Sequence, residues 1–458
     1  MSKIFLRDFG EVCHRRFDAE YYKDANITIT TYPLKSFVSI RSGKRIPKGE
    51  TYSHTITPYK YLRVEDLDSE SLEVDINNLK SIDENIFKLL SRYEIHNDEI
   101  ALSIAGTIGK IFLFKNHTNN QVILTENCVK LQAIDGVLPK FLSIVLKTSF
   151  LQNQMKRQYI QTTIPKLAIE RIKELQIPQI PNKHDQQQII DIMDNAYQVK
   201  KDKEQQAKEI LDSIDKYLLD KLGIVMPQKS NNMLENRIFT QRFSDISNTR
   251  FDPSYHQKYY QDLEKALQKG KYSLVKLVEK VLINNVLEDM AKYEVINYID
   301  LSSIDKENGT IENIKSINDN FPSRARQKVC KGDLLVSTLS GSMKAIAIVN
   351  NSKKNLIAST GFFVIRHTND LLKDFLMFLL RINLFQELLK RKSSGAIMAS
   401  INQNEFLNLK IPLPSLTEQK KIADEIRQRQ ERVKTLQQEA KEILESAKKQ
   451  VESIILGG

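Results

Sequence analysis

The chain is written twice. "KIFLRDFGEVCHRRFDAEYY" at 3–22 returns as "RIFTQRFSDISNTRFDPSYH" at 237–256, displaced by 234 residues. "NDEIALSIAGTIGKIFLF" returns as "KGDLLVSTLSGSMKAIAIV", "FLSIVLKTSFLQNQMKRQ" as "FLMFLLRINLFQELLKRK", and "AKEILDS" as "AKEILES". Solenoid repeats run roughly 20–50 residues, so this period marks duplication of a whole domain. Whatever the first half folds into, the second must fold into as well.

Both halves have one grammar. β-rich runs such as "EIALSIA" and "KIFLF" precede an amphipathic helix near 140–157 and again near 374–391. A proline stop follows, "IPQIP" or "IPLP". Proline lacks a backbone donor and fixes φ, so neither stretch is helix interior. A long helix then starts; in the second copy Thr417 is placed to cap it and Glu418 sits in its first turn.

Apolar residues recur along that helix at Ile422, Ile426, Val433, Leu436, Ala440, Ile443, Ala447, Val451 and Ile454, with Arg429 filling one seam position. Spacings of three and four alternate, as in a heptad seam. The first copy offers Ile189, Met193, Ala196, Ala207, Ile210, Ile214 and Tyr217, interrupted by Lys200 and Lys203. Each helix could lie on its own domain. Matching seams in a duplicated unit favour instead a pseudo-twofold, antiparallel pair. Forty residues of helix span roughly 60 Å at 1.5 Å per residue. The expected fold is α+β: two mixed α/β heads joined by two long helices that pair as an antiparallel coiled coil.

Three cysteines, Cys13, Cys128 and Cys330, are odd in number and far apart in the 458 residues, which fits a reducing compartment rather than a disulfide framework. The start lacks a signal-peptide core and no uncharged apolar run approaches a membrane span, so a cytoplasmic location is expected. The net charge of +11 points to a polyanionic partner. Segments 186–222 and 417–456 together hold 15 basic and 16 acidic residues, so the whole excess lies in the parts that precede the helices. Metal spacings, Walker A, Gly-x-Ser-x-Gly and methyltransferase Asn-Pro-Pro-Tyr motifs are missing from the sequence. "AGTIGK" (105–110) is too short between its glycines for a phosphate loop and reads as a strand-to-strand turn.

Candidate nucleic-acid contacts are basic and polar residues where the copies diverge or where a helix ends. The loop 41–60 offers Arg41, Lys44, Arg45, Lys48 and Tyr52. Its shorter counterpart at 281–294 offers Asn284, Asn285 and Lys292. Lys110 and its equivalent Lys344 follow the glycine turn. Arg157, Gln161, Thr162, Thr163 and Lys166 form one cluster before a proline stop; Lys390, Arg391, Lys392, Ser393, Ser394 and Ser400 form the other. These residue types suit phosphate and base-edge contacts, although each stretch also fits a solvated loop. The repeated Arg16/Arg250 and Asp18/Asp252 read as structural ion pairs.

The opening "RFDAEYY", the later "YLRVEDL" and "GDLLVS", and above all "IPLPSLTEQKKIADEI" resemble the specificity subunits of type I restriction–modification systems. The first junction, "IPQIPNKHDQQ", carries one extra residue and has His184-Asp185 for Thr-Glu, yet Gln186 matches Gln419. The resemblance implies two target-recognition domains, 1–181 and 236–414, each reading half of a bipartite DNA site. Spacer helices would occupy 182–224 and 415–458, with a linker at 225–235. It further implies no catalysis by this chain. S-adenosylmethionine, ATP and Mg2+ would sit on partners: methyltransferase subunits, two of them, with restriction subunits joined through these. Alternatives are a coiled-coil scaffold whose heads bind proteins, an unrecognised nuclease, and the specificity subunit of a system whose partner fuses nuclease and methyltransferase.

Overall fold

The computed structural model describes residues 29–67, 76–158, 166–229, 238–247, 250–394 and 399–457. The chain divides into two compact units. Unit one comprises 1–202 with 439–458, and unit two comprises 203–438. Each combines a globular head with one end of both long helices.

In unit one an antiparallel sheet runs in the order Val38–Ser42, Cys128–Ala133, Ile100–Ser103, Ile111–Leu113. A second sheet orders Lys80–Ser81, Tyr59–Leu62 and Gln121–Leu124, the last two parallel. Unit two repeats the first sheet as Val281–Ile283, Phe362–Thr368, Leu334–Ser337, Ile346–Ile348. Its second sheet orders Lys315–Ile317, Ile296–Ile299, Leu356–Ser359 and Ala325–Lys328, again with one parallel pair. Where unit two has that fourth strand, unit one has a single bridge between Glu94 and Ile123. The duplication in sequence is thus a duplication of topology.

Each amphipathic helix expected as one piece is two: Pro139–Lys147 with Ser149–Gln158, and Lys373–Arg381 with Asn383–Lys392. The breaks fall at Thr148 and Ile382, both with extended ψ. A glutamine one turn into each second helix bridges the break. Gln152 donates to the carbonyls of Leu146 (2.9 Å) and Gly109 (3.0 Å). Gln386 donates likewise to Leu380 (2.7 Å) and Met343 (3.3 Å). Carboxylates serve the freed amides: Glu452 accepts from Phe150 N at 2.9 Å, and Asp215 from Asn383 N at 2.9 Å.

The proline stops are short edge strands. Gln176–Pro178 pairs with Thr31–Pro33, and Lys410–Pro412 with Leu274–Lys276. The long helices run Lys183–Leu222 and Leu416–Leu456. Ser415, not Thr417, caps the second, its hydroxyl accepting from Glu418 N at 3.3 Å. Asn182 serves the first by accepting from Asp185 N at 3.1 Å.

Just inside each helix a glutamine is fully buried. Gln186 accepts from Leu138 N (2.8 Å) and donates to the carbonyls of Gly136 (2.8 Å) and Pro181 (2.9 Å). Gln419 accepts from Leu372 N (2.8 Å) and donates to those of Asp370 (3.0 Å) and Pro414 (2.9 Å). One amide thus ties the start of the long helix to the start of the amphipathic helix. Every polar atom of the side chain has a partner, as burial demands.

The long helices pair antiparallel. In unit one, Ile189, Ile190, Met193 and Ala196 share a core with Leu444, Ala447 and Val451. In unit two, Ala207 packs with Val433 and Leu436, flanked by Ile210, while Leu218 and Leu222 join Ile422, Ala423 and Ile426, flanked by Ile214. Ala440 is buried as well. The heptad reading misses single positions near the C-terminal end of each helix, although Ala447 and Val451 are buried as read. Leu444 is buried where Ile443 is partly exposed, Leu218 where Tyr217 is partly exposed, and Ile454 is largely in solvent. From Ile422 to Val451 the buried seam makes eight turns at about 3.6 residues each, the period of an unsupercoiled helix. Arg429 holds its seam position by stacking 4.4 Å from the Tyr217 ring and donating to Ser213 Oγ at 2.9 Å.

Candidate DNA interface

The diverged loop of unit one leaves its sheet at Gly43. A Cβ there would lie 2.0 Å from the Thr125 carbonyl oxygen, so only glycine fits. Gly43 N donates to Cys128 O (3.0 Å), Lys44 N to Leu124 O (2.9 Å), and the Tyr61 hydroxyl to Lys44 O (2.8 Å). Burial pushes the Tyr61 phenol up to about 12, so it stays a donor.

The backbone is therefore fixed where Arg45 begins. Its side chain is 78% exposed, and its Nε donates to Glu126 Oε1 at 2.5 Å. Thr125 donates to the other carboxylate oxygen at 3.0 Å. Burial opposes ionisation of Glu126, but the bonds from Arg45 and Thr125 outweigh it and hold the carboxyl below its usual range. Tyr52, Arg63, Thr107, Lys110 and Asn127 complete an open cleft. Arg63 is forked onto Asp66 (2.7 and 3.0 Å) and lies over the Tyr52 ring.

Several sequence candidates have internal work. Lys110 donates to the carbonyls of Val64 (3.1 Å) and Leu67 (2.5 Å), closing that turn. Arg391 donates to Tyr255 O and Glu264 and stacks 4.5 Å from the Tyr255 ring. Lys392 pairs with Glu405 at 2.9 Å, and Ser393 is buried, donating to Lys390 O. Ser394 and Ser400 pair through their backbones. Arg41, Lys44, Lys48, Lys166, Asn285, Lys292, Lys344 and Lys390 are exposed, and Arg157 is half-buried. Asn284 is half-buried and accepts from Val286 N at 3.3 Å. Gln161, Thr162, Thr163, Arg16 and Asp18 lie outside the described residues. Arg250 and Asp252 form the ion pair read for them, at 2.7 Å.

Sequence reasoning passed over Arg63, Glu126 and Asn127. The signal available was divergence: the equivalent positions in unit two hold Asp300, Thr360 and Gly361. Asp300 takes up Lys315 at 2.6 Å, and Gly361 O accepts from Thr338 N and Oγ1. The glycine turns, by contrast, are held alike, by the bridges Ala105–Lys166 and Leu339–Ser400. Among the described residues, no helix is long and apolar enough to cross a membrane, and no His/Cys/Asp/Glu group is arranged to hold a metal.

These features have counterparts in known proteins. The chain matches the type I restriction modification DNA specificity domain over residues 26–226 and again over 279–445. It is 26% identical over 377 residues to the type I restriction enzyme MjaVIII specificity subunit of Methanocaldococcus jannaschii, covering 79% of each chain. A solved chain from work on complex assembly and conformational transition of the type I R-M system shares its fold, with TM-score 0.55 and 16% identity, over 93% of this chain and 96% of that one. The S subunit from M. genitalium aligns over 93% of this chain and 97% of its own, at 16% identity and TM-score 0.43. A duplicated head, a paired helix and a match over both copies have one reading: the chain belongs to the type I restriction–modification specificity subunits, the non-catalytic, DNA-recognising members of their systems.

Proposed function

We propose that the chain reads a bipartite double-stranded DNA target, one half-site per head, and carries methyltransferase subunits to it. Restriction subunits would join through the methyltransferase. The observation behind this reading is the contrast between a frame that repeats its first sheet and its buried-glutamine brackets, and loops that differ: 41–60 against 281–294. Two copies with one scaffold and different contact surfaces suit two different half-sites. Two equivalent helical junctions suit two methyltransferase subunits. S-adenosylmethionine, ATP and Mg2+ belong to those partners in this scheme, and the complex works in the cytoplasm.

The test is a chimera. Residues 1–181 are replaced by the first head of another specificity subunit, and the methylome of a strain carrying the complex is sequenced. One half of the methylated motif should change while the other stays. A change in both halves, or in neither, sinks the assignment of one head to one half-site.

A further inference from the structure

We propose that Arg45, braced by Glu126, is a base-reading residue of the first head: its two terminal amino groups donate to O6 and N7 of a guanine in the major groove. The proposal rests on the DNA reading above and assigns this side chain to bases rather than phosphates.

Three observations carry it. First, the fork is aimed. Arg45 Nε is fixed on Glu126 at 2.5 Å, while the side chain is 78% exposed. Fixing Nε removes much of the rotamer freedom of the side chain and leaves the planar pair of terminal amino groups to face outward. That pair matches the two acceptors of guanine, the commonest specific arginine contact to DNA.

Second, the brace selects against phosphate. A carboxylate beside the guanidinium repels a phosphate and cancels much of the attraction a bare cation would offer. A guanine edge is a neutral dipole and is penalised far less. Glu126 is itself held by Thr125 at 3.0 Å, which restrains it from swinging away.

Third, the support is built from the backbone up. Gly43 admits no side chain, and two backbone bonds fix Gly43 and Lys44 onto neighbouring strands. Unit two has Thr360 where unit one has Glu126, and its loop is shorter, so the device belongs to one head.

The experiment is selection from a randomised duplex library by the full-length chain in its native assembly, with salt dependence measured on the selected sequence. The Arg45→Lys variant keeps the charge but loses the fork. It should lose about tenfold or more of the discrimination at one G·C pair in one block of the motif, with the other block and the salt slope unchanged. The Glu126→Ala variant should blur the same pair and steepen the salt slope, because a released Arg45 reaches phosphate. A role in folding alone would not move the slope in that direction. An unchanged motif in Arg45→Lys overturns the proposal. So does a uniform loss over all sequences, with a shallower slope, in Arg45→Ala. If the unaltered chain selects no motif at all, the DNA reading falls and this assignment with it.

Discussion

The two buried glutamines and the cleft of unit one give opposite lessons about duplication. Gln186 and Gln419 repeat the same three hydrogen bonds to equivalent backbone atoms. Gln152 and Gln386 repeat theirs too. Where unit one gathers Arg45, Arg63, Glu126 and Asn127, unit two offers Asp300, Thr360 and Gly361. A buried amide with three partners is expensive to alter, because each change strands a donor or acceptor away from water. An exposed cleft bears no such constraint, so binding can diverge on a frame that cannot.

The largest effect we expect is on spacing. One heptad inserted after Ala207 and another after Ala440 would lengthen the helical pair by about 10 Å at 1.5 Å per residue. That is about three base pairs at roughly 3.4 Å each. The far groove also turns by about 100°, given roughly 10 pairs per turn. Methylome sequencing should show a motif with a longer gap or no motif. The original motif, methylated as efficiently as before, would show that the helices do not set the distance.

Next come the shared brackets. Gln186→Met and Gln419→Met should each cost about 3 kcal/mol, since each strands one amide and two carbonyls. Denaturant unfolding of the two variants should give matching losses. A neutral result for either would show that its bracket does not hold the junction.

The position of Cys128 should also tell the heads apart at high pH. Burial pushes the Cys128 thiol up to about 12, as it does the Tyr61 phenol. The unfolded chain releases these protons first, so stability supplied by unit one falls as pH rises from about 9 toward 12. The position of Cys128 is Phe362 in unit two, which cannot ionise. Melting followed from pH 7 to 11 should fall less in Cys128→Ala than in the unaltered chain. Iodoacetamide at pH 8 should label the exposed Cys330 and spare Cys128. Labelling of both would mean that unit one opens readily.

The smallest effect concerns a reversed ion pair. Unit one joins Lys140 to Asp194 at 2.7 Å; at the equivalent place unit two joins Asp374 to Arg427. Both pairs are partly exposed, so each contributes about 0.5 kcal/mol. Lys140→Asp should destabilise by about that much or slightly more, and adding Asp194→Arg should restore it. A double-mutant cycle without coupling would show that the reversal has no energetic content.

Much of this architecture was legible in the residues. The 234-residue displacement marked the repeated head topology, the proline stops marked the helix starts, and the match of Gln186 with Gln419 marked the junction. Two things were hidden. The seam was read from three-and-four spacing alone, which chose Tyr217 and Ile443 where the fold buries their neighbours Leu218 and Leu444, although Ala447 and Val451 are buried as read. The work of individual cations was also invisible. Lys110 serves carbonyls 43 and 46 residues away, and Arg391 a carbonyl 136 residues away. Side-chain chemistry says that a lysine seeks acceptors, but not which ones the fold delivers.

The make-up of unit one has a consequence for how the protein is synthesised. Its core is closed by Leu444, Ala447 and Val451, which a ribosome adds more than 200 residues after the rest of that core. Unit two is uninterrupted in the chain, at 203–438. The half made first is therefore the half completed last. A nascent chain stopped near residue 438 would already hold every segment of unit two, while the earlier half still waited with an uncovered apolar surface. A premature stop codon just after residue 438 would then damage the head that precedes residue 203 rather than the one that follows it.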